Sequence, residues 1–260
     1  MNNEVNLLIC THKEFTPPVK NEVYKVLYGN HDIDMSGCGL DSYKCVSDDK
    51  LDDKFYSEIY MLKNVPDFDG CKYVGLCHYR RYFDFMDDIP DFDELFKEYE
   101  CVLPRPLFMR QSVRGQYAMA HNVEDYDIVG TVIKDKYPEY YGSFIEVSIG
   151  KTFYPYNMFV MKKEDFVRYV KFISDVLDGY IEIVGDDIMK RVMDNADKYL
   201  NKRIEQNRSY EYQYRIGGYL AERLSNVFFK KNFKKVYTRE IFLTEYKYKQ
   251  EIMHIKQLKL

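Results

Sequence analysis

Short apolar runs punctuated by polar, glycine- and proline-bearing stretches fill the first half of the chain, and longer runs with helical spacing fill the second. Val5-Asn6-Leu7-Leu8-Ile9-Cys10 is short and largely apolar, so it reads as a central strand; Thr11-His12-Lys13 and Pro17-Pro18 then make a loop. Residues 29–50, rich in Gly, Asp and Ser, show little periodicity and read as a long loop. Asp48-Asp49 would cap a helix in which Phe55, Ile59 and Leu62 form one stripe with Tyr56 and Tyr60 beside it. Tyr73-Val74-Gly75-Leu76-Cys77 is a second strand, which delivers His78-Tyr79-Arg80-Arg81-Tyr82-Phe83.

Beyond it, Asp91 to Glu98 reads as helix, Cys101-Val102-Leu103 as strand, and Pro104 with Pro106 as an exposed loop. Residues 112–145 read as two or three short helices, Pro138 opening the last. Asn157 to Met161 reads as a strand, and the helix after it carries Phe166, Val170, Ile173 and Leu177 at spacings of four, three and four. Ile181-Glu182-Ile183-Val184 looks strand-like, whereas Ile216, Leu220, Leu224 and Val227 mark the inward face of a late helix. At 260 residues this fits one large α/β domain or two small ones.

Composition adds a marked aromatic bias, 26 Tyr and 17 Phe with no Trp. Tyrosine suits sugar and base contacts and suits half-buried surface equally well. The six cysteines contain no C-x-x-C pair and read as buried reduced thiols. Met1-Asn2-Asn3-Glu4 runs into the first strand without a basic leader, and no segment approaches a membrane span, so a cytoplasmic protein is expected. Charge is uneven: residues 230–260 hold nine Lys/Arg against three Glu, or +6, which leaves −10 of the net −4 on the rest. Ile252, Ile255 and Leu258 lie among those lysines, as in a solvated terminal helix or in one lying on anionic lipid at the inner face of a plasma membrane.

The chemistry concentrates after the second strand. Ligands of open α/β sheets sit outside the carboxyl ends of strands, and paired guanidiniums match the geometry of a diphosphate better than lysines do. Asp-x-Asp at such a position is one way to hold a divalent ion against a diphosphate. Here His78, Tyr79, Arg80 and Arg81 stand there, while Asp32/Asp34, Asp67/Asp69, Asp91/Asp93 and Asp125/Asp127 follow no convincing strand. No metal site and no cofactor are therefore expected; Arg80, Arg81 and His78 would offset the charge of a leaving diphosphate. The G-x-G-x-x-G, P-loop, H-E-x-x-H and G-x-S-x-G patterns are absent, and an acidic body argues against nucleic acid.

The His78–Phe83 box behind Val74-Gly75-Leu76-Cys77 resembles the hallmark of a bacterial capsular and exopolysaccharide biosynthesis family long catalogued as a domain of unknown function. Ile9-Cys10-Thr11-His12-Lys13, Gln116-Tyr117 with His121, Asn157-Met158-Phe159-Val160-Met161 and Arg215 to Leu224 resemble it in the same order. The resemblance implies a Rossmann-like glycosyltransferase of the A-type fold over residues 1–245, with a mixed central sheet flanked by helices. It also implies a helical acceptor-side insertion at 104–150, with 246–260 left as a basic helix or tail. The implied reaction moves a hexose, with galactose as the guess, from a UDP-linked donor to a glycan or lipid-linked oligosaccharide acceptor.

Candidate roles follow. Thr11, His12 and Lys13 would meet the nucleotide; His78, Tyr79, Arg80, Arg81, Asn157 and Arg215 would hold the donor. A hydroxyl that attacks directly must lose its proton, and Glu222, Asp187 and His121 are the candidate bases. Each has a plainer alternative: a turn at Thr11–Lys13, an ion pair of Glu222 with Arg215 or Arg223, a helix cap at His121, an edge-strand amide at Asn157. Two other classes stay open, a sugar-nucleotide phosphohydrolase and a non-catalytic module that binds nucleotide sugar or glycan.

Overall fold

Strand β1 (Val5–Thr11) is buried along its whole length because it is paired on both sides. On one side it runs parallel to β2 (Tyr24–Tyr28), and β3 (Ser42–Lys44) extends that edge. On the other it runs parallel to β4 (Tyr73–His78). The computed structural model describes residues 4–29, 33–46, 51, 53–66, 70–200, 209–244 and 252–253. Side chains alternate across the sheet, as the period of two requires. Leu8, Cys10, Val74 and Leu76 face one core, and Leu7, Ile9, Tyr73 and Cys77 face the other.

A turn at Tyr79-Arg80 folds β4 back onto β5 (Arg81–Phe83). Helix α3 (Phe92–Glu98), capped by Asp91, leads to β6 (Cys101–Pro104). Pro104 is thus a buried strand end rather than part of an exposed loop. A two-stranded ribbon of β7 (Leu107–Phe108) and β8 (Thr152–Phe153) brackets three helices, α4 (Val113–Ala120), α5 (Val123–Lys136) and α6 (Pro138–Ile149). Strand β9 (Phe159–Lys162) inserts antiparallel between β4 and β6, and β10 (Val236–Arg239) pairs parallel with β6. The order β10-β6-β9-β4-β1-β2-β3 makes a mixed sheet. Its strand order reverses between β1 and β4, the switch point where open α/β sheets form a crevice.

Two helices cross from β3 to β4. The Phe55-Ile59-Leu62 stripe reads as one helix, but Ser57, at φ 57° and ψ −134°, splits it into α1 (Asp53–Tyr56) and α2 (Glu58–Lys63). The helix packed on this break comes from far along the chain. Gly217 and Gly218 open α10 (Ile216–Asn232), and a Cβ on Gly217 would stand 2.7 Å from the Phe55 carbonyl oxygen. Only glycine lets α10 approach so closely. The Asp48-Asp49 cap lies outside the described residues.

Helix α7 (Lys163–Val184) absorbs the strand-like Ile181–Val184, because its buried stripe of Phe166, Tyr169, Ile173, Leu177 and Tyr180 continues to Val184. Helical burial overrides the local β preference of Ile and Val. Helix α8 (Asp187–Leu200) and the short α9 (Tyr210–Tyr214) then lead into α10. Helices α5, α6, α7 and α10 cover one face of the sheet; Phe83, Phe85 and Phe92 fill the other. Strand β11 (Ile241–Leu243) pairs with β5 and with β12 (Ile252–Met253), so a strand stands where the spacing of Ile252 suggests a helix. Ile255 and Leu258 lie outside the described residues. Among the described residues no helix is long and apolar enough to cross a membrane.

Candidate active site

A cleft of about 560 Å³ opens at the carboxyl ends of β1 and β4. Cys10 and Thr11 from β1, His78 from β4 and the Tyr79-Arg80-Arg81 turn form one wall; Ser57 and Glu58 form the floor. Tyr156 and the helices α9 and α10, through Glu211, Tyr212, Arg215, Tyr219 and Glu222, form the other wall. Eight candidates read from the sequence thus meet in one place: Thr11, His12, His78, Tyr79, Arg80, Arg81, Arg215 and Glu222.

The cations sit over tyrosine rings. Arg81 Cζ lies 4.3 Å from the centroid of Tyr156, Arg80 Cζ 5.6 Å from Tyr79, and Arg215 Cζ 5.7 Å from Tyr219. Lys13 lies outside the lining, but its Nζ stands 4.9 Å from the Tyr79 ring. His12 meets the same ring edge-on at 5.1 Å. Tyr79 is therefore a shared seat for His12, Lys13 and Arg80. Thr11 shapes the loop: its Oγ1 donates to the Lys13 carbonyl at 2.6 Å and accepts from the Lys13 N–H at 3.2 Å.

The loop before β9 holds the two walls together. Tyr156 and Asn157 have φ of 71° and 55°, left-handed conformations uncommon outside glycine. Consecutive residues of this kind persist only where surroundings over-determine them, and α10 supplies that determination. Its Asn226 accepts from the Tyr154 N–H at 2.7 Å and donates to the Tyr154 carbonyl at 2.9 Å. Glu222 accepts from the Tyr156 N–H at 3.2 Å, and Ser225 Oγ donates to Asn157 Oδ1 at 2.7 Å. These three side chains share one helix face through i, i+3 and i+4 spacing.

Asn157 therefore does not open a strand. It is buried behind the cleft, where its amide donates to the Glu58 carboxylate. Burial opposes charge on Glu58, but the His78 ring, the Asn157 amide, its own backbone N–H and the Arg215 guanidinium outweigh it and hold the carboxyl below its ordinary value. Burial, with Arg81 nearby, pushes the His78 imidazole down against the pull of Glu58 and of the Tyr156 carbonyl, to which Nε2 donates at 2.5 Å. The carbonyl can only accept, so His78 carries a proton on Nε2.

Glu222 lines the cleft while its Oε2 accepts from Arg223 at 2.8 Å. Arg223, buried between Tyr117 and Phe153, also donates to Gln116 at 2.6 Å. His121 lies behind the wall, stacked on Tyr219 at 4.1 Å, and burial with Arg223 nearby lowers its ring to about 3. It stays neutral at pH 7. Asp187 is elsewhere, at a shallow surface depression with Asn122, Lys190 and Arg191. The site does not bring it together with the others.

Among the described residues no group of three or more His, Cys, Asp or Glu side chains is placed to hold a metal ion. Asp93 accepts from the Tyr73 hydroxyl, Asp125 from Tyr180 and Arg191, and Asp127 from Arg114. Asp32, Asp67 and Asp69 lie outside the described residues.

Reading the sequence missed Glu58, Ser57, Tyr156 and Tyr212. Glu58 did leave a signal: it stands three residues after Phe55 and four before Leu62, a carboxylate on an apolar stripe. Tyr156 and Tyr212 left none among so many tyrosines.

Fold and site together define an α/β protein, a mixed sheet flanked by helices, with a cationic crevice at its switch point. The family profile of a domain of unknown function, DUF4422, matches residues 6–196, and the chain belongs to that family. The match ends before α9 and α10, so the Arg215–Leu224 stretch lies beyond it. Among solved structures the chain is similar to the apo structure of WbbM, a bifunctional glycosyltransferase, at 19% identity and a TM-score of 0.63. The likeness covers 93% of this chain and 45% of that one, so the chain spans less than half its length. It is a likeness of fold. No curated protein matches.

Proposed function

We propose that the chain is a glycosyltransferase that moves a hexose, galactose being the first to test, from a UDP-linked donor to a glycan or lipid-linked oligosaccharide of a capsule or exopolysaccharide. One observation carries this reading: a single cleft at the carboxyl ends of β1 and β4 holds Arg80, Arg81 and Arg215 beside the carboxylate of Glu222. The fold shared with WbbM supports it.

In this reading the guanidiniums hold the diphosphate and offset the charge that grows on it. The acceptor oxygen bonds to the anomeric carbon as the bond from that carbon to phosphate breaks. UDP leaves with the electron pair, and the hydroxyl proton passes to Glu222. Glu222 suits the task by position, with one oxygen fixed by Arg223 and the other by the Tyr156 N–H. Side-chain cations here do the electrostatic work a divalent ion does elsewhere. The basic stretch near the end of the chain would keep the enzyme at the inner face of a membrane beside a lipid-linked acceptor.

Incubation with UDP-hexoses and excess chelator tests the reading. UDP release that requires an acceptor glycan supports it. Release of sugar phosphate or of nucleoside monophosphate would establish a phosphohydrolase instead, and an intact donor with every acceptor would establish a binding module.

A further inference from the structure

The two walls of the cleft differ in chemistry. The β1 and β4 side is cationic; the α9 and α10 side presents Tyr212, Tyr219, Glu211 and Glu222, with Arg215 over the Tyr219 ring the one cation among its described residues. Sugar transfer needs two ligands of equally different character, an anionic donor and a neutral polyol. We propose that Tyr212 and Tyr219 form the platform for a pyranose ring of the acceptor, with Glu211 and Glu222 accepting its hydroxyl hydrogens. This rests on the reading of the cleft as a sugar-transfer site.

A pyranose has an apolar C–H face that gains by covering an aromatic ring, and hydroxyls that need acceptors once desolvated. Tyrosine rings beside carboxylates meet both needs. The platform is rigid before any ligand arrives. The Tyr212 ring lies within 8° of parallel to His121 at 5.7 Å and meets Tyr219 at 5.0 Å. Helix α9, which carries Tyr212, is fixed at both ends of its single turn. Ser209 caps the Tyr212 N–H at 3.0 Å, and buried Gln213 is clasped by Asn195 at 2.5 Å and donates to the Ala120 carbonyl at 3.2 Å. A preorganised ring loses little entropy on binding.

His121 backs both tyrosines and remains neutral, so the stack presents no charge toward the nearby carboxylates. Along α10, Arg215, Tyr219 and Glu222 fall on one face by i, i+4 and i, i+3 spacing. Glu222 therefore stands beside the platform on the same helix, where an acceptor hydroxyl would come to lose its proton.

The test uses saturation-transfer NMR on the full chain with UDP present. The probes are the methyl pyranosides of galactose, glucose, mannose and N-acetylglucosamine, and UDP affinity is measured in parallel. At least one pyranoside should receive saturation through the protons of one ring face. Tyr212→Leu should weaken that pyranoside about five- to tenfold, the loss of one stacked ring, while Tyr212→Phe keeps it and both variants bind UDP as wild type does. Equal pyranoside binding by Tyr212→Leu, no binding of any pyranoside by wild type, or parallel loss of UDP in Tyr212→Leu would overturn the platform. Failure of the wild-type chain to bind UDP would overturn the sugar-transfer reading as well.

Discussion

Asn157 is where the strained loop, the buried carboxylate and α10 meet, and its replacement has effects that can be worked out one by one. In Asn157→Ala the Glu58 carboxylate loses its amide donor, a hydrogen bond to a charged group worth about 1.5 to 3 kcal/mol. Ser225 loses an acceptor but keeps the Ala221 carbonyl, 2.8 Å away, so that loss adds little. Alanine at φ 55° adds about 1 kcal/mol, since it lacks the left-handed tolerance of asparagine. The sum is about 2.5 to 4 kcal/mol. Asn157→Asp keeps shape and backbone preference but sets a second carboxylate against Glu58, at about 4 kcal/mol for like charges 4 Å apart near the surface dielectric. One of that pair must hold a proton, which raises its folded-state pKa above the unfolded value. Aspartate should therefore be worst at pH 7 and recover as pH falls toward 5. Urea unfolding at both pH values measures each quantity. An alanine cost under 1 kcal/mol, or an aspartate variant indifferent to pH, would refute the assignment of Asn157 as the support of Glu58.

Burial raises the Asp125 carboxyl from 3.8 to about 6, against Tyr180 and Arg191. The folded state then binds a proton that the unfolded state has released, so stability from this group falls as pH rises from 4 to 6, by about 3 kcal/mol; urea unfolding of Asp125→Asn should lack that slope, and a slope equal to wild type would contradict it. His121 has the opposite sign: with its ring lowered to about 3 by burial, the unfolded chain alone takes up a proton below 6.5. That contribution falls by about 1.4 kcal/mol per pH unit from 6 to 4 and offsets the opposite Asp125 slope, so thermal unfolding should show wild type losing about that much per unit relative to His121→Phe. Gly217→Ala places a Cβ against the Phe55 carbonyl and should cost about 1 to 3 kcal/mol while loosening the cleft floor, seen together as a lower Tm and weaker UDP binding.

Short apolar runs made the central strands legible, because β1 and β4 are buried on both faces and are built mainly of apolar residues. Strand β3 was not legible, since a three-residue edge strand carries too little pattern and borrows its order from β2. The break at Ser57 was hidden for a different reason: the helix packed on it, entered at Gly217, lies 160 residues along the chain. Ile181–Val184 misled because four residues fit a strand or a helix end equally well, and only the longer stripe of α7 decides. At the site, His78, Arg80 and Arg81 stood out as adjacent polar groups at a strand end. Tyr212 and Tyr156 did not, because their roles depend on ring contacts made through the fold. Asp187 illustrates the converse, a carboxylate singled out for following a strand-like run that is a helix.

The central claim is that fixed side-chain cations, with no bound ion, receive the diphosphate. Calorimetric titration of UDP in excess chelator tests it most directly, with Arg81→Ala set against Arg239→Ala, whose guanidinium pairs with Asp84 away from the cleft. The account predicts that wild type and Arg239→Ala bind alike, while Arg81→Ala binds about ten- to a hundredfold more weakly, as loss of a charge-assisted contact requires. Binding that appears only when a divalent cation is supplied, or an Arg81→Ala affinity equal to wild type, would contradict it.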